Sequence, residues 1–150
     1  MHNLFLKKYY FINEFDPNHL IKLDKNIILI YRNYTSKTDE KDIVNIKKFC
    51  QKNTRKLYIS NDFKIAIKYN LDGLYLPSFN KQIIPISCFE RKNFKIVGSA
   101  HNIKEINQKN LQGVSEIFIS SIFKHKNTYL GFYNFNKLSK ISKKKVVALG

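Results

Sequence analysis

Along this chain the spacing of apolar positions switches repeatedly between two periods. "KKYYFINEF" (7–15) packs aromatic and β-branched residues together, as a strand does. "DPNHLIKLD" (16–24) follows, with Asp16 placed as an N-cap and Pro17 at the first helical position. "NIILIYRNY" (26–34) is the continuous apolar run of a parallel strand buried on both faces. "DEKDIVNIKKFCQKN" (39–53) sets Ile43, Ile46 and Phe49-Cys50 on one helical face, with acids at its start and bases at its end, matching the helix dipole. "KLYIS" (56–60) predicts a strand, "NDFKIAIKYN" (61–70) a helix, and "DGLYLP" (72–77) and "FKIVGS" (94–99) two more strands. "IKEINQKNLQG" (103–113) predicts a helix with Gly113 at its C-cap. "SEIFISSIF" (115–123), "NFNKLSKIS" (134–142) and "KKKVVALG" (143–150) complete the alternation as strand, helix and strand.

Strands alternating with helical segments imply βαβ units and a parallel sheet with right-handed crossovers. No repeat, low-complexity stretch or Pro/Gly/Ser-rich linker cuts the chain, so one domain over 1–150 is expected. The strand candidates fit either a doubly wound sheet or a (β/α)8 barrel. A doubly wound dinucleotide binder needs G-x-G-x-x-G after its first strand, and with 5 glycines in the chain that motif is absent. A barrel collects polar groups at the C-terminal ends of its strands. Those ends here carry Arg32, Asn61-Asp62, Pro77-Ser78, Ser99 to His101, Ser120-Ser121 and Gly150. The expected fold class is α/β, a (β/α)8 TIM-barrel type with about seven strands, incomplete at the C-terminus before its last βα unit.

Composition narrows the function classes. At 43% hydrophobic and 14% aromatic the chain can build a real core. Its longest apolar runs are far too short to span a bilayer, and no signal peptide is visible, so a cytoplasmic protein without a membrane partner is expected. Cys50 and Cys88 read as reduced thiols rather than a disulfide framework. The net charge of +16 raises nucleic-acid binding. The charge comes from 24 lysines and only 3 arginines, spread along the chain, whereas readers of nucleic acid favour the bidentate guanidinium. AT-rich codon usage explains the lysines better, although the positive field also draws in phosphorylated small molecules.

The order of the rim groups resembles the thiamine phosphate synthase/TenI family over nearly the whole chain. The matching pieces are Arg32, Asn61-Asp62, "DGLYLPS" (72–78), "GSAHN" (98–102), "SSIF" (120–123) with "YLGF" (129–132), and "VVALG" (146–150). There are departures. The family's Gln-x-Arg-x-Lys, which grips a pyrophosphate, keeps only Arg32 here, within Ile30-Tyr31-Arg32-Asn33-Tyr34. Of two magnesium carboxylates the first corresponds to Asp62, and Asn80 stands near the second, a neutral and poorer Mg²⁺ ligand. The Thr-x-Thr-Lys loop appears as "HKNT" (125–128), where Lys126 offers an amine out of register. Leu76-Pro77-Ser78 looks more like the TenI branch, the thiazole tautomerases.

The resemblance implies an enzyme of thiamine biosynthesis that takes a thiazole phosphate at the rim. A tautomerase moves a proton to aromatise a thiazole carboxylate phosphate, and His101 stands where that acid/base is implied. Arg32, Asn61, Ser99, Ser120, Lys126 and Gly150 are the implied substrate-binding groups. No cofactor is needed for that reaction. Coupling with a pyrimidine diphosphate, the synthase alternative, requires Mg²⁺ held in part by Asp62. A non-catalytic binder of phosphate ligands stays open, and so does homo-oligomerisation. Local readings stand beside each assignment: His101 bonding to backbone at a helix start, Asn61-Asp62 as an N-cap pair, Arg32 as an ion-pair or barrel-rim residue, the serines as small packing residues, and His125-Lys126 as a solvated loop.

Overall fold

The computed structural model of the chain describes residues 7–34, 39–85, 90–123 and 129–149. They form two compact units, 1–73 and 74–150. The first unit runs β1 (Lys8–Ile12), α1 (Pro17–Leu20), β2 (Ile27–Tyr31), α2 (Glu40–Lys52), β3 (Leu57–Ser60) and α3 (Phe63–Lys68). The second opens with β4 (Gly73–Leu76), which starts at the boundary. It continues through β5 (Lys95–Ala100), α4 (Ile103–Leu111), β6 (Glu116–Ile119), α5 (Gly131–Ile141) and β7 (Lys145–Ala148). All the strand candidates of the sequence are present.

In the first unit β1, β2 and β3 lie side by side in chain order and pair parallel, with Tyr10 opposite Leu29 and Leu29 opposite Leu57. In the second, β4 to β7 also follow chain order, and β5, β6 and β7 are parallel, with Ser99 opposite Phe118 and Phe118 opposite Val147. The continuous apolar runs have the cause expected of them: Ile28 to Tyr31 and Leu57 to Ile59 are buried on both faces, as are Ile117 to Ile119. Tyr75 fills space inside the second unit, its ring 5.6 Å from that of Phe118. Among the described residues no helix is long and apolar enough to cross a membrane.

Helix ends follow side-chain chemistry. Asp16 caps α1, accepting from the Asn18 and His19 N–H groups with Pro17 at the first position. Asp39 caps α2, whose buried stripe is Ile43, Ile46 and Cys50, while Phe49 meets Phe15 edge-on at 6.0 Å. The helix expected over 61–70 is shorter, because Asn61 adopts φ 63° and Asp62 becomes the cap, while Asn70 turns the chain out at φ 47°. The last helix starts at Gly131, three residues before its expected start at 134. Gly113 stands just past α4 at φ 70°, the left-handed geometry that suits glycine there.

Two buried cations tie loops down. Arg55, 6% exposed, donates from Nη1 to the Asp24 carbonyl at 2.6 Å and from Nη2 to the Leu20 and Leu23 carbonyls, closing the turn between α1 and β2. Lys109, fully buried on α4, donates from Nζ to the Asn80 carbonyl at 2.9 Å and to Gln112 Oε1 at 2.8 Å.

Candidate functional site at the strand C-terminal ends

His101 directly follows β5 and precedes the N-cap of α4. Asn102 is that cap, its Oδ1 accepting the Glu105 N–H at 2.9 Å. The Glu105 carboxylate reaches back, and its Oε2 accepts both the His101 backbone N–H at 2.7 Å and the His101 Nδ1 at 3.0 Å. This reciprocal arrangement resembles a capping box shifted by one residue, with the carboxylate spending part of its capacity on the imidazole. In the neutral ring the carboxylate selects the tautomer with hydrogen on Nδ1, so Nε2 is left as an acceptor. The ring is part-buried, and no partner is recorded for Nε2 among the described residues. His101 is therefore a residue bonded at a helix start, its ring held by the same carboxylate.

Beside it lies a cavity of about 500 Å³, lined by His101, Ile103, Lys104, Leu130, Lys137 and Leu138, with Asn102 and Asn134. The walls are largely apolar, two ammonium groups stand among them, and among the described residues no carboxylate lines the space. Such a surround suits an anion with an apolar body. The Ser121 carbonyl accepts the Leu130 N–H at 2.9 Å, which fixes where the chain re-enters this wall.

The other rim residues divide between the units. In the second, Ser99 is buried at the end of β5 and Ser120 is half-buried after β6. Lys126 and Gly150 lie outside the described residues. In the first, Arg32 follows β2 and its guanidinium lies 4.4 Å from the Phe11 ring centre and 5.7 Å from that of Tyr34. It lines a cavity of about 260 Å³ with Phe11, Ile12, Asn13, Asn33 and Tyr34. The guanidinium stacks on both rings as a cation–π contact. Asn61 is exposed after β3, and Asp62 Oδ1 accepts the Ile65 N–H at 2.9 Å as the α3 cap.

Each residue that the resemblance implies for magnesium also serves its own helix or loop. One Asp62 oxygen is engaged by the helix, and the Asn80 Oδ1 already accepts from the Gln82 N–H at 2.9 Å and from Gln112 Nε2 at 2.9 Å. Two donors leave that neutral oxygen little capacity for a hard dication. Among the described residues no group of three or more His, Cys, Asp or Glu is placed to hold a metal.

Sequence reasoning missed three contributors. Glu105 carried a signal, since a Glu three residues after an Asn cap marks a helix start. Lys109 and Gln112 carried a weaker one, spaced at helical intervals from the buried Ile106. Gly98 also acquires a cause. A Cβ there would stand 2.8 Å from Lys109 Cδ and 3.1 Å from the Leu76 carbonyl oxygen, so the glycine of "GSAHN" seats the Lys109 stem.

Comparison with known proteins bears on this geometry. A family model described as thiamine monophosphate synthase matches residues 22–150. Among solved structures the chain is similar to a thiamine phosphate pyrophosphorylase from Pyrococcus furiosus, with 16% identity and a TM-score of 0.64 over 95% of this chain and 74% of that one. No match was found among curated proteins. At that identity the likeness shows the fold: α/β of the barrel type, with seven strands among the described residues where a closed (β/α)8 barrel has eight.

Proposed function

The chain belongs to the thiamine monophosphate synthase family, and from that premise we propose that it binds a thiazole phosphate and moves a proton on it, with His101 as acid and base. The observation that carries the reading is the His101–Glu105 pair at 3.0 Å beside a cavity whose walls are apolar and whose charges are Lys104 and Lys137. The Nε2 nitrogen takes a proton from a ring carbon of the thiazole carboxylate tautomer. It returns a proton at a second atom of the same molecule, so the ring becomes aromatic with nothing gained or lost. Glu105 holds the imidazole in place while it carries the proton. Lys104 and Lys137 supply positive charge for the phosphate and carboxylate.

The test follows conversion of the thiazole carboxylate phosphate by proton NMR. His101→Ala lowers turnover by about 100-fold or more, with ligand affinity held within about twofold. Glu105→Gln lowers it by about tenfold, because the tautomer is less well set. Unchanged turnover in His101→Ala overturns the assignment.

A second reading, coupling of a pyrimidine diphosphate to the thiazole phosphate, is favoured by Arg32 and Asp62 after β2 and β3 and by the description of the matching family. In it Asp62 is a magnesium ligand, which the donor chemistry at Asp62 and Asn80 argues against. Coupling that needs Mg²⁺ and collapses in Asp62→Ala supports this reading, and coupling indifferent to EDTA removes the metal from it.

A further inference from the structure

We propose that the first unit carries an anion site at the N-terminal ends of β1, β2 and β3, where Lys25, Lys56 and Thr54 hold a small diphosphate. It lies at the other end of these strands from Arg32 and Asn61, and it does not rest on the thiazole reading.

The three strands are parallel neighbours, so the residues that precede them gather at one end. Lys7 precedes β1, Lys25 and Asn26 precede β2, and Lys56 precedes β3. A cavity of about 280 Å³ opens there, lined by these four and by Thr54, with an apolar part from the start of β2. Three ammonium groups border one small concave space, and among the described residues no carboxylate does. The carboxylates nearby in the chain are engaged elsewhere. Asp24 Oδ1 accepts the Asn26 N–H at 3.0 Å, and its Oδ2 lies 3.7 Å from Lys8 Nζ. Asp72 Oδ2 accepts the Leu57 N–H at 2.9 Å. Lys25 and Lys56 have no ion-pair partner among the described residues. Like charges gathered in a cleft focus their field and draw in an anion.

The two walls are joined by a buried group. Arg55, between Thr54 and Lys56 in the chain, donates from Nη1 to the Asp24 carbonyl at 2.6 Å, and Lys25 follows that carbonyl. The Lys56 carbonyl accepts the Leu29 N–H at 3.0 Å and closes the same joint. Because Arg55 meets carbonyls rather than a carboxylate, its charge adds to the field behind the wall.

Thr54 is the independent sign. It follows Asn53, the C-cap of α2, at φ 56°, a position that favours glycine and strains a β-branched residue. The turn needs only its backbone, which donates to the Gln51 carbonyl at 3.3 Å. Among the described residues neither the Thr54 hydroxyl nor the Asn26 side-chain amide has a recorded partner. What threonine supplies here beyond glycine is a hydroxyl on the cavity wall. A helix C-terminus is the wrong dipole end for an anion. The last carbonyls of α2 are taken, however: Phe49 accepts from Asn53, Cys50 from Arg55 and Gln51 from Thr54. The space is small for a drug-sized ligand, which selects a compact ion. Cations spread over three strand ends match two phosphoryl groups better than one.

Calorimetry with inorganic pyrophosphate, at low salt and in EDTA, tests the site. The wild-type chain binds it, and inorganic phosphate binds about tenfold more weakly. Lys25→Gln with Lys56→Gln weakens pyrophosphate about tenfold or more, while Arg32→Ala stays within about twofold. Lys25, Thr54 and Lys56 are exposed, so these variants keep the fold, which the urea midpoint checks. Thr54→Gly gives the sharper signature: the urea midpoint holds or rises because glycine suits the turn, yet affinity falls about threefold. A Thr54→Gly chain that binds as wild type overturns the role of the hydroxyl. Unaltered affinity in the double lysine variant overturns the site, as does a wild-type chain that binds no pyrophosphate. Loss confined to Arg32→Ala moves the anion to the rim and overturns it too. Phosphatidylglycerol vesicles decide the source of the phosphate: binding to them through Lys25 and Lys56, with free pyrophosphate ignored, would assign the lysines to a lipid surface and overturn the small ligand.

Discussion

Each unit buries one cation against loop carbonyls, and the two cations differ in kind. Arg55 in the first unit spreads a guanidinium over the carbonyls of Leu20, Leu23 and Asp24. Lys109 in the second points one ammonium at Asn80 and Gln112. A guanidinium keeps its charge and offers a rigid fork of donors, so it suits several fixed acceptors at once. An amine offers fewer donors and gives up its proton when buried. The first arrangement fixes a turn regardless of pH. The second fixes a loop whose tether changes character within an accessible pH range. The more rigid device closes a turn between α1 and β2, and the softer one holds a loop at the rim where a ligand is expected.

The largest test of this contrast removes the arginine. Arg55→Met takes the guanidinium from three carbonyls, of which Leu20 and Asp24 keep a backbone donor, and should cost about 2–3 kcal/mol, with the same loss at pH 6 and pH 9. The urea midpoint measures it. A loss that varied strongly with pH would show that the clamp titrates, and the contrast would fail.

Lys109 gives the next largest effect, and its signature is a slope. Its folded-state value of about 8 lies below the ordinary 10.5. Between those values the unfolded chain holds a proton that the folded chain has released, so stability rises with pH across that window. The full rise is about 3 kcal/mol at most. At pH 7 both states are protonated and the folded state bears the whole cost of the buried charge. Lys109→Met should therefore change stability by only about 1 kcal/mol at pH 7, lost hydrogen bonds offsetting relief of that cost, and should flatten the rise between pH 8 and 10.5. Tyrosines ionise in the same range, so the difference between the two curves, measured by urea denaturation, is the quantity that decides. A Lys109→Met curve as steep as wild type would move the slope to another group.

Gly98 is a smaller lever on the same clamp. Gly98→Ala places a methyl 2.8 Å from Lys109 Cδ and should cost about 1–3 kcal/mol. In a Lys109→Ala background the penalty should shrink by about 1 kcal/mol, since the flexible neighbour is gone while the Leu76 carbonyl remains. Additive costs would mean that the glycine serves the strand pairing and not the lysine.

These residues also mark where the sequence could be read and where it could not. The strands were visible because runs such as Ile27–Tyr31 are apolar on both faces, and only a parallel strand covered twice tolerates that. The rim groups Arg32, Asn61, Ser99 and His101 were visible because strand ends punctuate those runs. Asn80 was noticed only as a neutral residue near an implied metal position, and the service of its oxygens to Lys109, Gln112 and Gln82 was not legible. Lys109 was hidden by composition, because among 24 lysines one buried amine looks like the rest, and Arg55 gave no local sign of the carbonyls it meets. Burial of a cation depends on which carbonyls the fold brings within 3 Å, and that is a tertiary fact. Local periodicity does not encode it.

The smallest effect concerns helix starts, where the units again use different groups. Asp62 caps α3 in the first unit and Asn102 caps α4 in the second. Asp and Asn are nearly equal as caps, so Asp62→Asn should alter stability by about 0.5 kcal/mol or less, and Asp62→Ala by about 1 kcal/mol. Both are read from the urea midpoint. Activity then separates cap from chemistry. A cap alone makes the Asn variant silent and the Ala variant weak in proportion to its stability. Activity lost in Asp62→Asn at unchanged stability would show that the charge of the carboxylate acts on the ligand or on a metal. The neutral cap of the second unit would then be the purely structural member of the pair.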